Sequence, residues 1–282
     1  MAYNIKQNLE NHLKQIVRPR DPFLATQGYF YVKEYIRQEL QQWGTVESFE
    51  FNYDGKIHEN LILNLPSQCN TQQKKPILIG AHYDTVIGSS GADDNATGIA
   101  VLLELGRFFY HHPAQYPICL IAFDLEEYGL LGSSAYANYL KQQQIKIRLM
   151  ISLEMLGYCN HNPKSQKYPP GLDYFYPSTG NFIALIGNLS TILDLRKISR
   201  SIRHTEIPCE WLSVPFHGKI VPDTRRSDHA PFWDNNYNAI MITDTANLRN
   251  PNYHQSSDTL ETIDLDFLTG VCQGLAKTIE DF

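Results

Sequence analysis

Residues 77–84 read ILIGAHYD and residues 118–127 read ICLIAFDLEE. Each is a short apolar run that stops abruptly at imidazole or carboxylate side chains. The runs carry none of the polar/apolar alternation of a half-exposed strand, so they are expected to be central strands covered by helices on both faces. LMISL ending at Glu154 and AIMIT ending at Asp244 repeat the pattern. Working outward, β-rich runs are expected over 46–52, 61–65, 77–81, 118–123, 149–153, 182–186 and 239–243. Helical spacing separates them over 96–109, 132–144, 191–203 and 267–279, and an earlier helix over 22–43 is stopped by Gly44. The fold class that results is α/β: a three-layer α/β/α sandwich with a mixed, mostly parallel central sheet whose first strands form an antiparallel hairpin. No repeat, low-complexity tract or Gly/Ser/Pro linker divides the 282 residues, so one domain is expected over 1–282.

Composition narrows the function. The formal charge is −6, with 43% apolar residues. A net negative chain lacks the clustered Lys/Arg needed to neutralise phosphates, which excludes nucleic acid as an expected partner. No apolar stretch reaches the roughly 18 residues of a spanning helix, and the first residues carry no apolar signal core, so no membrane partner and a cytoplasmic location are expected. Cys69, Cys119, Cys159, Cys209 and Cys272 are scattered, without a C-x-x-C pair, and are read as reduced, mostly buried thiols. Oligomeric state has no signature in the sequence.

The chemistry gathers where the apolar runs end. In an open α/β sheet, ligands bind at the carboxyl ends of the strands, so His82, Asp84, Asp124, Glu126, Glu127, Glu154 and Asp244 are expected on one rim. Crowded carboxylates repel and would take up protons unless a cation compensates them. Asp94, in the turn SSGADDNATG, and His254, in PNYHQSSDT, complete a mixed His/carboxylate set that suits zinc or another first-row divalent metal, with enough carboxylates for two ions. Asp84 stands two residues after His82, on the same side of an extended strand, where it can orient the imidazole. His111, His112, His161 and His204 lack such a partner and are read as structural or surface residues. The segment 157–181 is too long for an ordinary connection and is expected to be functional.

Taken in order, AHYDT, GADDNATG, FDLEEYGLLGS, SLEMLGY, SDHAPFW and NYHQSSDT resemble the zinc-dependent M28-type peptidases, a family of co-catalytic aminopeptidases. The resemblance spans about residues 77–262. In that family two zinc ions share a bridging Asp and a water molecule. Carried over, it implies His82, Asp94, Glu127, Glu154 and His254 as metal ligands, with Asp94 rather than Asp93 as the bridge. It further implies Glu126 as general base, Asp84 as the carboxylate that orients His82, and Tyr253 as an oxyanion donor. Asp228 and His229 fall on a recurring element with a supporting role, although a helix cap is an equal reading of Asp228. A cis peptide bond is expected after Asp94. Glu154 departs from the Asp common at its position. The implied activity is removal of the N-terminal residue from peptides with a free N-terminus, with Tyr158, Tyr168, Tyr174, Phe175 and Tyr176 as candidates for the substrate wall. Two other functions stand beside it: a glutaminyl cyclase, which resembles this fold but has one zinc and a Trp before the late His, and a non-catalytic binding module.

Overall fold

A computed structural model describes residues 4–68 and 74–282, so Cys69 lies outside the described residues. Helices α1 (Ile5–Ile16) and α2 (Thr26–Gln41) lead into the hairpin β1 (Val46–Tyr53) and β2 (Lys56–Leu65). There follow β3 (Ile77–His82), α3 (Gly98–His111), β4 (Ile118–Phe123), α4 (Leu131–Gln142), β5 (Leu149–Glu154) and β6 (Ile183–Asn188). The chain ends with α5 (Ile192–Arg203), β7 (Cys209–Val214), the short α6 (His229–Asp234), β8 (Ala239–Thr243) and α7 (Leu265–Glu280).

The strands form one eight-stranded sheet in the order β1-β2-β4-β3-β5-β8-β6-β7. The hairpin β1–β2, the β2–β4 pair and the β6–β8 pair are antiparallel, and the other neighbours are parallel. Every residue of β3, β4, β5 and β8 is buried, as their unbroken apolar runs require. Alternate side chains feed two cores: Ile77, Ile79 and Leu120 pack beneath α1, α2, α3, α5 and α7, while Leu78, Cys119 and Ile121 pack with residues of α4 and α6. Because β4, β3, β5 and β8 run parallel, their carboxyl ends open on the same rim, with His82 paired to Phe123 and Glu154 to Thr243.

The structure departs from the sequence reading in four places. The early helix starts at Thr26, because Asp21 closes a separate turn, its Oδ1 accepting from the N–H groups of Phe23 at 2.8 Å and Leu24 at 2.6 Å. The edge strand β7 was not expected: its sequence CEWLSV is half-exposed and polar at Glu210 and Ser213, so no apolar run marks it. Nor were α1, started by an Asn4 side chain that accepts from Gln7 N at 3.2 Å, or α6, which spans a single short turn region around Pro231. The four described cysteines are free. Among the described residues no helix is long and apolar enough to cross a membrane.

Candidate active site

His82 closes β3 and is fully buried. Two residues on, Asp84 Oδ1 stands 3.4 Å from His82 Nδ1, and its two oxygens also accept from the backbone N–H groups of Glu126 and Glu127, at 3.1 Å each. One carboxylate therefore ties the imidazole to the turn that follows β4. Asp94 comes from the tight turn before α3, and the Asp94–Asn95 peptide bond is cis. Gly91 enters that turn at φ +55°, where an added Cβ would meet Asp94 O at 2.3 Å, so only glycine fits. Asp258 holds the turn in place, its carboxylate accepting from the N–H of Asp93 at 2.9 Å and of Asp94 at 3.1 Å.

The oxygens of Asp94 part company: Oδ1 lies 3.3 Å from His82 Nε2, and Oδ2 lies 3.1 Å from His254 Nε2. Glu154 Oε2 joins the first imidazole at 3.7 Å, and Glu127 Oε2 joins the second at 3.2 Å. Two donor sets result, His82/Asp94/Glu154 and Asp94/Glu127/His254, with one carboxylate common to both. Glu126 lies beside the first, its Oε2 4.0 Å from His82 Nε2. These contacts are close but not hydrogen bonds: His82 Nε2, His254 Nε2 and Glu127 Oε1 are buried without a hydrogen-bond partner. Around a cation with bonds of roughly 2.0–2.1 Å, neighbouring tetrahedral ligands stand about 3.3 Å apart. The spacing, the unpartnered nitrogens and the mixed N/O chemistry all fit divalent zinc.

The electrostatics describe the same need. Burial and the Asp94 charge push Glu127 up to about 7. Burial raises Glu126 far above the carboxylate range, reinforced by Glu154, Glu127 and Asp228 and opposed by His82. Burial also raises Glu154. Burial opposes charging of His82, but the Glu126 charge and contacts to Asp84, Asp94 and Glu154 outweigh it and lift its pKa well above normal. His254 behaves alike, pushed up to about 10 against its burial by Asp94 and Glu127. Burial works against the Asp94 carboxylate too, yet His254 and His82 hold it below the usual range. The raised carboxylates and imidazoles favour protons in the ion-free cluster, and a divalent ion held by His82, Asp94, Glu127, Glu154 and His254 would take their place.

The expected site residues are thus brought together at the strand ends, apart from His229. That ring is buried against Trp233, its Nε2 on Thr224 O at 2.8 Å, outside the donor sets. Asp228 sits at the cap position of α6 but makes no cap hydrogen bond. Both its oxygens are buried without a partner among the described residues, and its charge helps raise Glu126. Asp124 and Asp244, expected on the same rim, turn away. Asp124 accepts from Tyr29 Oη at 2.5 Å and pairs with His58, and Asp244 accepts from the N–H groups of Tyr158 and Ala246 at 2.9 Å each. Asp93 likewise turns away, accepting from the backbone N–H of Gly157 at 2.9 Å and from the side-chain Nδ2 of Asn250 at 2.8 Å.

Several supporting residues escaped the sequence reading. Ser227 Oγ donates to Glu154 Oε2 at 2.8 Å and fixes its longer side chain. Arg226 Nη2 donates to Tyr253 Oη at 3.0 Å, and the Tyr253 ring stacks on His254 at 3.7 Å. Fully buried Arg20 donates to the carbonyls of Tyr83 and Ser90 at 2.8 Å and of Gly91 at 2.9 Å, bracing the turns that carry His82 and Asp94. Ser227 and Asp258 lie inside motifs already singled out, whereas Arg20 carries no local signal at all.

Beside Glu154 and Tyr253 opens a cleft that is continuous with solvent. Its floor is Phe182, Ala184, Ile186 and Met241, and its walls are Tyr168, Leu172 and Tyr176 from the 157–181 segment and Trp211 from β7. Tyr176 Oη donates to Trp211 O at 3.0 Å, joining the two walls. Tyr168 and Tyr176 therefore line the cleft as expected. Tyr174 and Phe175 do not, being 84% and 81% exposed, and Tyr158 is absent from the lining.

A model of "Peptidase family M28" matches residues 60–279. The uncharacterized protein YfbL of Escherichia coli is 34% identical over 258 residues, which cover 86% of this chain and 77% of YfbL. Aminopeptidase YwaD of Bacillus subtilis is 37% identical over 97 residues, but these are 34% of this chain and only 21% of YwaD. Among solved structures, the glutaminyl cyclase of Bacteroides thetaiotaomicron superposes with a TM-score of 0.71 at 18% identity, over 99% of this chain and 97% of its own. That likeness is one of fold, common to peptidase and cyclase alike.

Proposed function

The chain belongs to peptidase family M28, and on that premise we propose that it is a zinc-dependent aminopeptidase, removing the N-terminal residue of peptides with a free α-amine. One observation carries the reading: Asp94 divides its oxygens between two imidazoles, each completed by a different Glu. His82, Asp94 and Glu154 would hold one ion, and Asp94, Glu127 and His254 the other. When bound, the pair would polarise the scissile carbonyl and lower the pKa of the attacking water.

The side chains supply the rest. Glu126, whose carboxylate makes no hydrogen bond among the described residues, accepts the proton of the attacking water and passes it to the leaving nitrogen. Tyr253 receives a hydrogen bond from Arg226 on its oxygen, which leaves its own O–H free to donate to the developing oxyanion. Loss of one such donor costs about 3 kcal/mol in comparable sites. Carboxylates lining the mouth, Glu154 first among them, suit the substrate α-ammonium. The neighbouring aromatic cleft then takes the first side chain.

The test is mass spectrometry of short peptides with Leu or Gln at a free N-terminus, beside N-acetylated copies and a chelator. Release of the first residue from free-amine peptides alone, stopped by the chelator, is the expected result. Loss of ammonia from the Gln peptide with the Leu peptide untouched would instead identify a cyclase. No reaction would indicate a binding module. Within the peptidase reading, Trp211→Ala removes one wall of the cleft. It is expected to lower kcat/KM roughly ten-fold or more for Leu or Phe N-termini and to leave Ala N-termini little changed; equal losses for both would remove Trp211 from substrate recognition.

A further inference from the structure

Among the described residues, one more set of ligand-type side chains converges outside the Asp94 cluster. Cys159, His161 and Asp264 bring a sulfur, an imidazole nitrogen and a carboxylate oxygen within 4.8 Å of one another. Cys159 and His161 stand two residues apart, Asp264 lies about a hundred residues further on, and the sequence reading left His161 as a structural or surface residue. In the fold, Asp264 N–H donates to Gly157 O at 2.9 Å, which pins the start of α7 to the root of the 157–181 segment. Asn160 N–H donates to Gly180 O at 2.8 Å and closes the far side of the same segment.

The geometry suits an ion. Cys159 Sγ and His161 Nε2 share a hydrogen bond of 3.4 Å in the ion-free fold, a spacing that an ion between them would keep. A tetrahedral cation with a sulfur at about 2.3 Å and a nitrogen at roughly 2.0–2.1 Å would place those two atoms about 3.5 Å apart. Asp264 caps α7 through Oδ1, which accepts from Asp266 N at 3.0 Å and Phe267 N at 2.9 Å. That cap holds the carboxylate in a fixed orientation, as ligating carboxylates commonly are, while Oδ2 accepts no hydrogen bond from it. His161 is exposed and Cys159 half-buried, so an ion can enter from solvent. Sulfur, nitrogen and oxygen in one three-residue set select zinc over magnesium or calcium, which prefer oxygen alone.

We propose that Cys159, His161 and Asp264 bind one zinc ion, in a site sharing no residue with the Asp94 cluster, that staples the root of the 157–181 segment to the start of α7. The ligating form of cysteine is the thiolate, so binding moves the Cys159 thiol proton to solvent as the sulfur–zinc bond forms. Tyr168, Leu172 and Tyr176 ride on the stapled segment, so the ion would steady one wall of the cleft.

Cobalt(II) reads this site independently of peptide cleavage, because the Asp94 cluster holds only nitrogen and oxygen donors and only a thiolate adds an intense near-ultraviolet charge-transfer band. Metal-free full-length protein titrated with cobalt(II) is expected to develop that band, saturating at one thiolate-bound ion per chain. Zinc should bleach it, and Cys159→Ser should abolish it. Asp264→Asn, which keeps the helix cap, should weaken cobalt binding at least ten-fold. In parallel, zinc should slow alkylation of Cys159 at least ten-fold, read by peptide mass on the wild-type chain, which covers the case of a variant that does not fold. Three equivalents of cobalt without the band, a band unchanged in Cys159→Ser, or alkylation indifferent to zinc would each overturn the proposal.

Discussion

Glu126→Gln is expected to lower kcat by roughly 10²–10⁴-fold, the range by which a positioned general base accelerates proton transfer, while metal content and KM stay near wild type. Gln matches Glu in volume, so the turn that Asp84 holds through the Glu126 and Glu127 N–H groups is undisturbed. What disappears is the capacity to take a proton. The choice of residue matters because Glu126, Glu127 and His82 also form a possible ligand group. If Glu126 were a ligand rather than a base, the variant would lose metal along with activity. A fall in kcat at full metal occupancy supports the base; wild-type turnover would place the base elsewhere.

Removing the metal should reverse the sign of the pH dependence of stability. In the ion-free fold, Glu127 and Asp228 each titrate at about 7, Glu127 raised by burial and the Asp94 charge, Asp228 by burial and then Glu154 and Asp84, with His82 opposing. Unfolded carboxylates titrate near about 4. Between those values the folded state binds more protons than the unfolded chain, so ion-free stability falls as pH rises from 4 towards 7. His82 and His254 act in the same sense, their contribution being full below about 6.5 and lost as pH climbs towards their raised values. Asp94 acts oppositely, but only as pH falls below the ordinary carboxylate range. Each extra proton held is equivalent to about 1.4 kcal/mol per pH unit, or roughly 2–4 °C in Tm for a chain of this size. With zinc bound, protons compete with the ion, so stability should rise over the same interval. Thermal melts at pH 5.5 and 7.5, with zinc and with chelator, should therefore slope in opposite directions; parallel slopes would mean that the carboxylates are not the ion's seat.

Much of this was legible before any coordinates. Apolar runs ending in His82, Glu126 and Glu154 identified central strands and the rim on which chemistry would sit, because burial on both faces leaves a local mark on composition. Strand β7 left none, since an edge strand needs no continuous apolar run, and so Trp211 was not foreseen in the cleft. The same local reading placed Asp124 and Asp244 with the other strand-end acids, yet Tyr29, His58 and backbone N–H groups claim them instead. Which strand-end acid faces the cleft depends on the turn after it, and strand patterning carries no record of that.

The sequence by itself determined the sandwich, the rim and the residue types able to hold divalent metal, since periodicity and motif order are written along the chain. Only the tertiary structure decided how those residues share their atoms. Asp94 faces His82 and His254 with different oxygens because the sheet order sets β3 beside β4 and β5, and because Asp258 anchors the intervening turn. Arg226 on Tyr253, Ser227 on Glu154 and Asp264 beside Cys159 and His161 arise likewise from segments distant in the chain. Such meetings are set by packing between distant segments, for which a linear pattern has no variable.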